Sequence, residues 1–138
     1  MKRLLIALAC SASFAVPAMA QSDAELTDAL SNVQHEMARC IAYNTIVAGC
    51  VRPQDTALAD KYDQVAEHLL PLSHQAGYVI GMSQDAIDSR LLMEYGEMKR
   101  LIQNSCTNIS SLISRHAYPC KQVTENADSV LLEYLERR

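Results

Sequence analysis

Apolar residues recur along this chain at alternating steps of four and three. Leu26, Leu30, Val33, Met37, Cys40 and Val47 follow that rhythm, with Asn44 as its polar interruption, and the spacing places them on one stripe of a helix. Ser22 with Glu25 three residues on makes a capping-box pattern, and Gly49 is a natural stop, so a first helix is expected over about 23–48. A second stripe runs Leu58, Tyr62, Val65, Leu69, Leu72, Ala76 and Val79, with Pro71 inside it. That proline removes one backbone hydrogen bond and predicts a kink; Gly77 or Gly81 ends the run.

The third helix has the clearest start. Ser83 can cap it, Asp85 suits its positive end, and Met82 can pack on Ile87. Ile87, Leu91, Tyr95, Met98, Ile102, Cys106, Ile109 and Ile113 then keep helical spacing to about His116, and Pro119 marks the end. Val123, Ala127, Val130, Leu131, Tyr134 and Leu135 predict a shorter C-terminal helix. The expected fold is all-α: an up-down bundle of three long helices plus a short fourth, with no internal repeat and no linker.

Composition supports that class. One Phe, six Tyr, no Trp and four Gly are a poor basis for a strand-rich fold, which draws on aromatic residues and many turns. A length of 138 residues suits one domain.

The first twenty residues read differently. Lys2 and Arg3 precede an apolar run from Leu4 to about Val16, and Ala18-Met19-Ala20 stands before Gln21. This is the three-part pattern of a secretory signal, with cleavage expected after Ala20, and its apolar run is shorter than the about 20 residues that span a bilayer. Cys10, preceded by a small residue, loosely resembles a lipid-attachment box, but using it would leave "AMAQ" unexplained. Cleavage discards Cys10 and two of the 12 cations, leaving residues 21–138 as a single domain with net charge -6. Such an acidic chain repels phosphate backbones, so nucleic acid is not an expected partner, and no segment of the mature chain reads as a membrane span. Localisation is expected to be periplasmic or secreted.

Four cysteines remain, Cys40, Cys50, Cys106 and Cys120, an even number that an oxidising compartment turns into two disulfides. With short connections, helix three runs parallel to helix one. Cys40 then lies about 13 Å below the top of helix one and Cys106 about 15 Å below the top of helix three, at 1.5 Å per residue. Cys50 and Cys120 fall just beyond those tops. Cys40 with Cys106 and Cys50 with Cys120 is therefore the expected pairing. Local pairing (Cys40 with Cys50, Cys106 with Cys120) and crossed pairing (Cys40 with Cys120, Cys50 with Cys106) are the other two connectivities.

Candidate chemistry is sparse. CxxC, HExxH, Gly-rich phosphate loops and Gly-x-Ser-x-Gly are all missing from the sequence, so no catalytic residue and no cofactor is assigned. His35, His68, His74 and His116 are scattered; a kink at Pro71 could turn His68 and His74 the same way, but surface histidines are the plainer reading. Met82, Met93 and Met98 read as core filler rather than copper ligands, and Glu94 with Glu97 has no opposing pair for acid–base work. Asn104, Ser105, Thr107, Asn108, Ser110 and Ser111 surround Cys106, and the height estimate puts Asn44 near Ser110. These residues read as small groups that let two tied helices approach, or as a polar groove. Asn108-Ile109-Ser110 is a glycosylation sequon that a bacterial-type leader makes idle.

The expectation for function is by elimination. It is an exported, non-enzymatic module that binds another protein, as an inhibitor, immunity-type protein or adaptor would; the alternative is a small-molecule or metal carrier with its site between helices near Pro71.

Overall fold

The structure is a computed structural model that describes residues 18–137, with side chains from residue 23 onward. Leader residues 1–17, Cys10 among them, lie outside the described residues, and Ala18 to Ala20 are described as backbone only. Five helices follow one another among the described residues, with no strand: α1 Ala18–Val51, α2 Thr56–Val79, α3 Gln84–Leu101, α4 Ile109–Glu125 and α5 Ala127–Glu136, with a 3₁₀ turn at Cys106–Asn108. The expected all-α bundle is what forms.

α1 is the axis, and every other α-helix packs against it. Its middle is apolar around most of its circumference, as a helix surrounded by others requires. Large residues (Val33, Met37, Tyr43, Ile46, Val47) alternate with Ala38, Ala42 and Ala48, all buried, and the alanines let neighbouring backbones come close. Ala66 and Leu69 of α2, Met98 and Ile102 at the end of α3, and Leu112, Cys120 and Val123 of α4 complete the core. Gly49 does not stop α1, which continues to Val51 before Asp55 caps α2 by accepting from the Leu58 amide at 2.8 Å.

Two turns of one kind reverse the chain. After α2, the Met82 amide donates to the Gly77 carbonyl at 2.9 Å and the Gly81 amide to the Tyr78 carbonyl at 3.0 Å. Gly81 supplies φ +79°. After α3 the same two bonds recur, Asn104 to Lys99 and Gln103 to Arg100, both at 2.8 Å. Here Gln103 and Asn104 carry the positive φ, 53° and 55°. Both are Schellman closures of a helix C-terminus. Asn108 Nδ2 holds the second turn by donating to the Ile102 carbonyl at 3.1 Å.

That second turn corrects two expectations. Helix three ends at Leu101, not near His116, and the chain then runs back down as α4, through Pro119, to Glu125. Cys106 therefore lies at the top beside Cys50, and Cys120 descends to the level of Cys40. The disulfides are Cys40–Cys120 and Cys50–Cys106, with Cα separations of 5.2 and 5.3 Å. The expected Cys40–Cys106 and Cys50–Cys120 ties required Cys106 to ride a helix parallel to α1; it opens an antiparallel one. Asn44 accordingly stands beside Ala117 and Cys120, not Ser110.

Candidate functional site

Because α2, α3 and α4 surround α1 without meeting along their whole lengths, three clefts open between them onto α1. Each has its own chemistry.

The α3/α4 cleft is ionic. Its lining includes Arg39, Glu94, Glu97, Met98, Arg115 and His116, around a volume of about 290 Å³. Glu94 takes a core position of α3, four residues before Met98, and is buried. Its carboxylate meets His35 Nε2 on one oxygen and Arg39 Nε at 3.5 Å on the other. Arg39 Nη1 also donates to Glu36 Oε1 at 3.0 Å, and that oxygen accepts from the Tyr134 hydroxyl at 3.2 Å. The chain of polar contacts thus joins α3, α1 and α5. Burial of the carboxylate is offset by these charged donors, as a buried acid requires. Burial, and then the Arg39 charge, holds the His116 imidazole below its ordinary pKa. Burial followed by Glu36 raises the Tyr134 phenol.

The α2/α3 cleft is apolar and tapers. At its closed end the α2–α3 turn is held by Tyr78 Oη donating to Gln84 Oε1 at 3.2 Å and by His74 Nε2 against Asp88 Oδ1 at 3.2 Å. Gly77 is needed here, because a Cβ would stand 2.5 Å from Ile87 Cδ1. Beneath, Gln34 Nε2 donates to Ser73 Oγ at 3.1 Å while its carbonyl accepts from Arg90, so α1, α2 and α3 share one buried polar knot. Farther along, the helices separate over Ile41 and Thr45, with Ala66, Leu70 and Leu91 as walls and Asp63 and Glu67 at the rim.

The α2/α4 cleft is aromatic. Tyr43 and Tyr62 meet edge-on with ring centroids 6.3 Å apart, and Tyr43 lies 6.1 Å from His116. Val65, Ala117 and the Cys40–Cys120 disulfide form further wall, in a volume of about 240 Å³. Burial, then the facing Tyr62 hydroxyl, pushes the Tyr43 phenol up to about 12, so it stays a neutral donor.

The residues weighed from sequence do not assemble into a centre. Pro71 stands within an uninterrupted α2, and His68 and His74, six positions apart, point to different sides of it. His68 is exposed, while His74 joins Pro71 and Leu70 on an open surface. Met98 is core, Met93 is exposed, and Met82 lies in the α2–α3 turn. Among the described residues no group of three or more His, Cys, Asp or Glu is placed to hold a metal ion. What sequence reasoning missed is the buried acid: it put Tyr95 in the α3 stripe, whereas Glu94 completes the steps Ile87, Leu91, Glu94, Met98 and Tyr95 faces outward. Comparison with family models, curated proteins and solved structures returns no match.

Proposed function

We propose that this chain is an exported, non-enzymatic binding module that presents its α2–α3 side to a protein partner. The observation that carries the reading is the distribution of exposed apolar residues. Leu70, Tyr78 and Val79 of α2 and Leu92 and Tyr95 of α3 are all exposed, with Leu92 at 70%. Leu92 and Tyr95 extend the side of α3 that Asp88 turns toward α2, so they flank the α2/α3 cleft. Apolar residues gathered beside an apolar cleft are the usual mark of a contact surface. Asp63 at its rim is already paired with Arg52, and Glu67 beside it favours a partner whose apolar face, such as that of an amphipathic helix, carries a basic group. Two disulfides fit an oxidising compartment, and no helix among the described residues is long and apolar enough to cross a membrane.

A photo-crosslinking residue placed at Tyr95, and separately at Tyr118 on α4, tests this in the native envelope. The Tyr95 position is expected to give a discrete adduct that Leu92→Lys abolishes while the helical circular dichroism spectrum is unchanged. Equal adducts from both positions, or none from Tyr95, would defeat the reading.

A further inference from the structure

We infer that the α2/α4 cleft is a receptor for a small monocarboxylate with an apolar body, of about the size of benzoate. This site is separate from the α2–α3 surface and does not depend on it. An apolar cavity of about 150 Å³ accommodates benzene, and the space here is about 240 Å³. Its wall is the edge-on pair Tyr43 and Tyr62 with Val65, Ala117 and a disulfide, surfaces that suit a ring or a short branched chain.

The polar groups decide the class. Thr124 Oγ1 is committed to the Cys120 carbonyl at 2.8 Å, whereas Asn44 Nδ2 spends one of its two N–H groups on the Cys40 carbonyl at 2.7 Å and keeps the other. Tyr43 and Tyr62 share one hydrogen bond between their hydroxyls, so the donors left to the cleft are one phenol, the second Asn44 N–H and, at the mouth, the Lys121 ammonium. A phenol and an amide N–H together with one ammonium are complementary to a carboxylate. Glu125, one turn beyond Lys121 on α4, opposes an anion and so gives the site a charge signature that can be read in both directions.

The test uses the oxidised mature protein with ¹³C-labelled tyrosine rings, titrated at neutral pH with benzoate, benzylamine and benzyl alcohol. Benzoate is expected to shift the Tyr43 and Tyr62 resonances saturably, with a Kd of about 1 mM or tighter. Lys121→Met should weaken it about fivefold and Glu125→Gln should tighten it about twofold, the range of exposed charge pairs. Ala117→Leu, and independently Val65→Phe, should fill the space and abolish the shifts in protein that keeps its helical spectrum. The inference is overturned by the lack of a saturable shift up to about 10 mM benzoate, by equal or tighter binding of benzylamine or benzyl alcohol, or by shifts that survive in either folded filling variant.

Discussion

α3 and α4 pack against the same central helix and are held to it in opposite ways. The α4 seam is covalent at two levels, with Cys40–Cys120 in the core and Cys50–Cys106 at the top, where Cys106 is exposed. The α3 seam has no covalent tie. Buried polar contacts hold it instead: Glu94 with His35 and Arg39, and Arg90 with Gln34. A disulfide acts mainly by restricting the unfolded chain, whereas a buried ion pair fixes register in the folded one while contributing little net stability. The covalent seam should therefore dominate stability, and the polar seam should be replaceable.

The largest effect is expected from removing the core tie. Cys50–Cys106 is nested inside Cys40–Cys120, so with the inner tie intact the outer one closes a loop of only about two dozen residues, worth roughly 3 kcal/mol in the loop-entropy account. Deleting two buried sulfurs adds packing loss of about 1 kcal/mol each. Cys40→Ala/Cys120→Ala should thus lose about 5 kcal/mol in urea unfolding, and Cys50→Ala/Cys106→Ala clearly less. In the native protein, limited reduction followed by alkylation and mass mapping should open Cys50–Cys106 first; the reverse order would contradict the difference in burial.

The polar seam gives the next test. Glu94→Ala leaves Arg39 and His35 without their shared acceptor and opens a cavity in α3; the expected loss is about 3 kcal/mol, at the low end for a broken buried pair because both partners are partly exposed. Glu94→Met places an apolar residue of similar length in the same core stripe and should recover most of that loss. If Glu94→Met is as damaging as Glu94→Ala, the carboxylate does more than satisfy register, and the contrast between the two seams fails.

A smaller effect separates the two reversing turns. Gln103 stands where Gly81 stands in the preceding turn, in a left-handed conformation that costs a side-chain-bearing residue about 1 kcal/mol. Gln103→Gly should stabilise the protein by about 0.5–1 kcal/mol, whereas Gly81→Ala should destabilise it by a similar amount. Thermal midpoints that move the same way in both variants would show that the two closures are not equivalent.

That pair also explains how far the fold was legible. Gly81 announces its turn because glycine is the residue that turn favours; Gln103 uses the same geometry without the signal, while Ile102, Cys106, Ile109 and Ile113 keep helical spacing across the break. One unseen reversal then misplaced everything that depended on chain direction: the disulfide partners, the role of Pro119 and the neighbours of Asn44. Helix existence and the apolar stripes of α1 and α2 were readable because burial imposes a 3.6-residue period on sequence. The clefts were not. Their lining depends on how α2, α3 and α4 rotate about α1, and the one local clue, an acid in step with Ile87, Leu91 and Met98, is masked by its apolar neighbour Tyr95, which keeps helical spacing equally well.

The smallest expected effect is a pH dependence at the boundary between the seams. His116 belongs to α4 but lines the α3/α4 cleft, where burial first and Arg39 second disfavour its cation; Glu36 and Glu94 pull the other way, and Arg115 adds to the disfavour. In the unfolded chain the imidazole takes up its proton near 6.5; in the folded chain it does so only at lower pH. The unfolded state thus binds more protons between those two values, so stability rises with pH across that window. The contribution of neutral His116 is complete above about 6.5 and is lost as pH falls toward the folded value. His116→Gln removes the titration while keeping a polar side chain, so the difference between native and variant denaturation midpoints should shrink as pH drops from 7.5 to 5.5. A difference that stays constant, or widens in acid, would mean that the ionic cleft accepts the His116 cation and that the α3 seam strengthens, rather than yields, when it gains a proton.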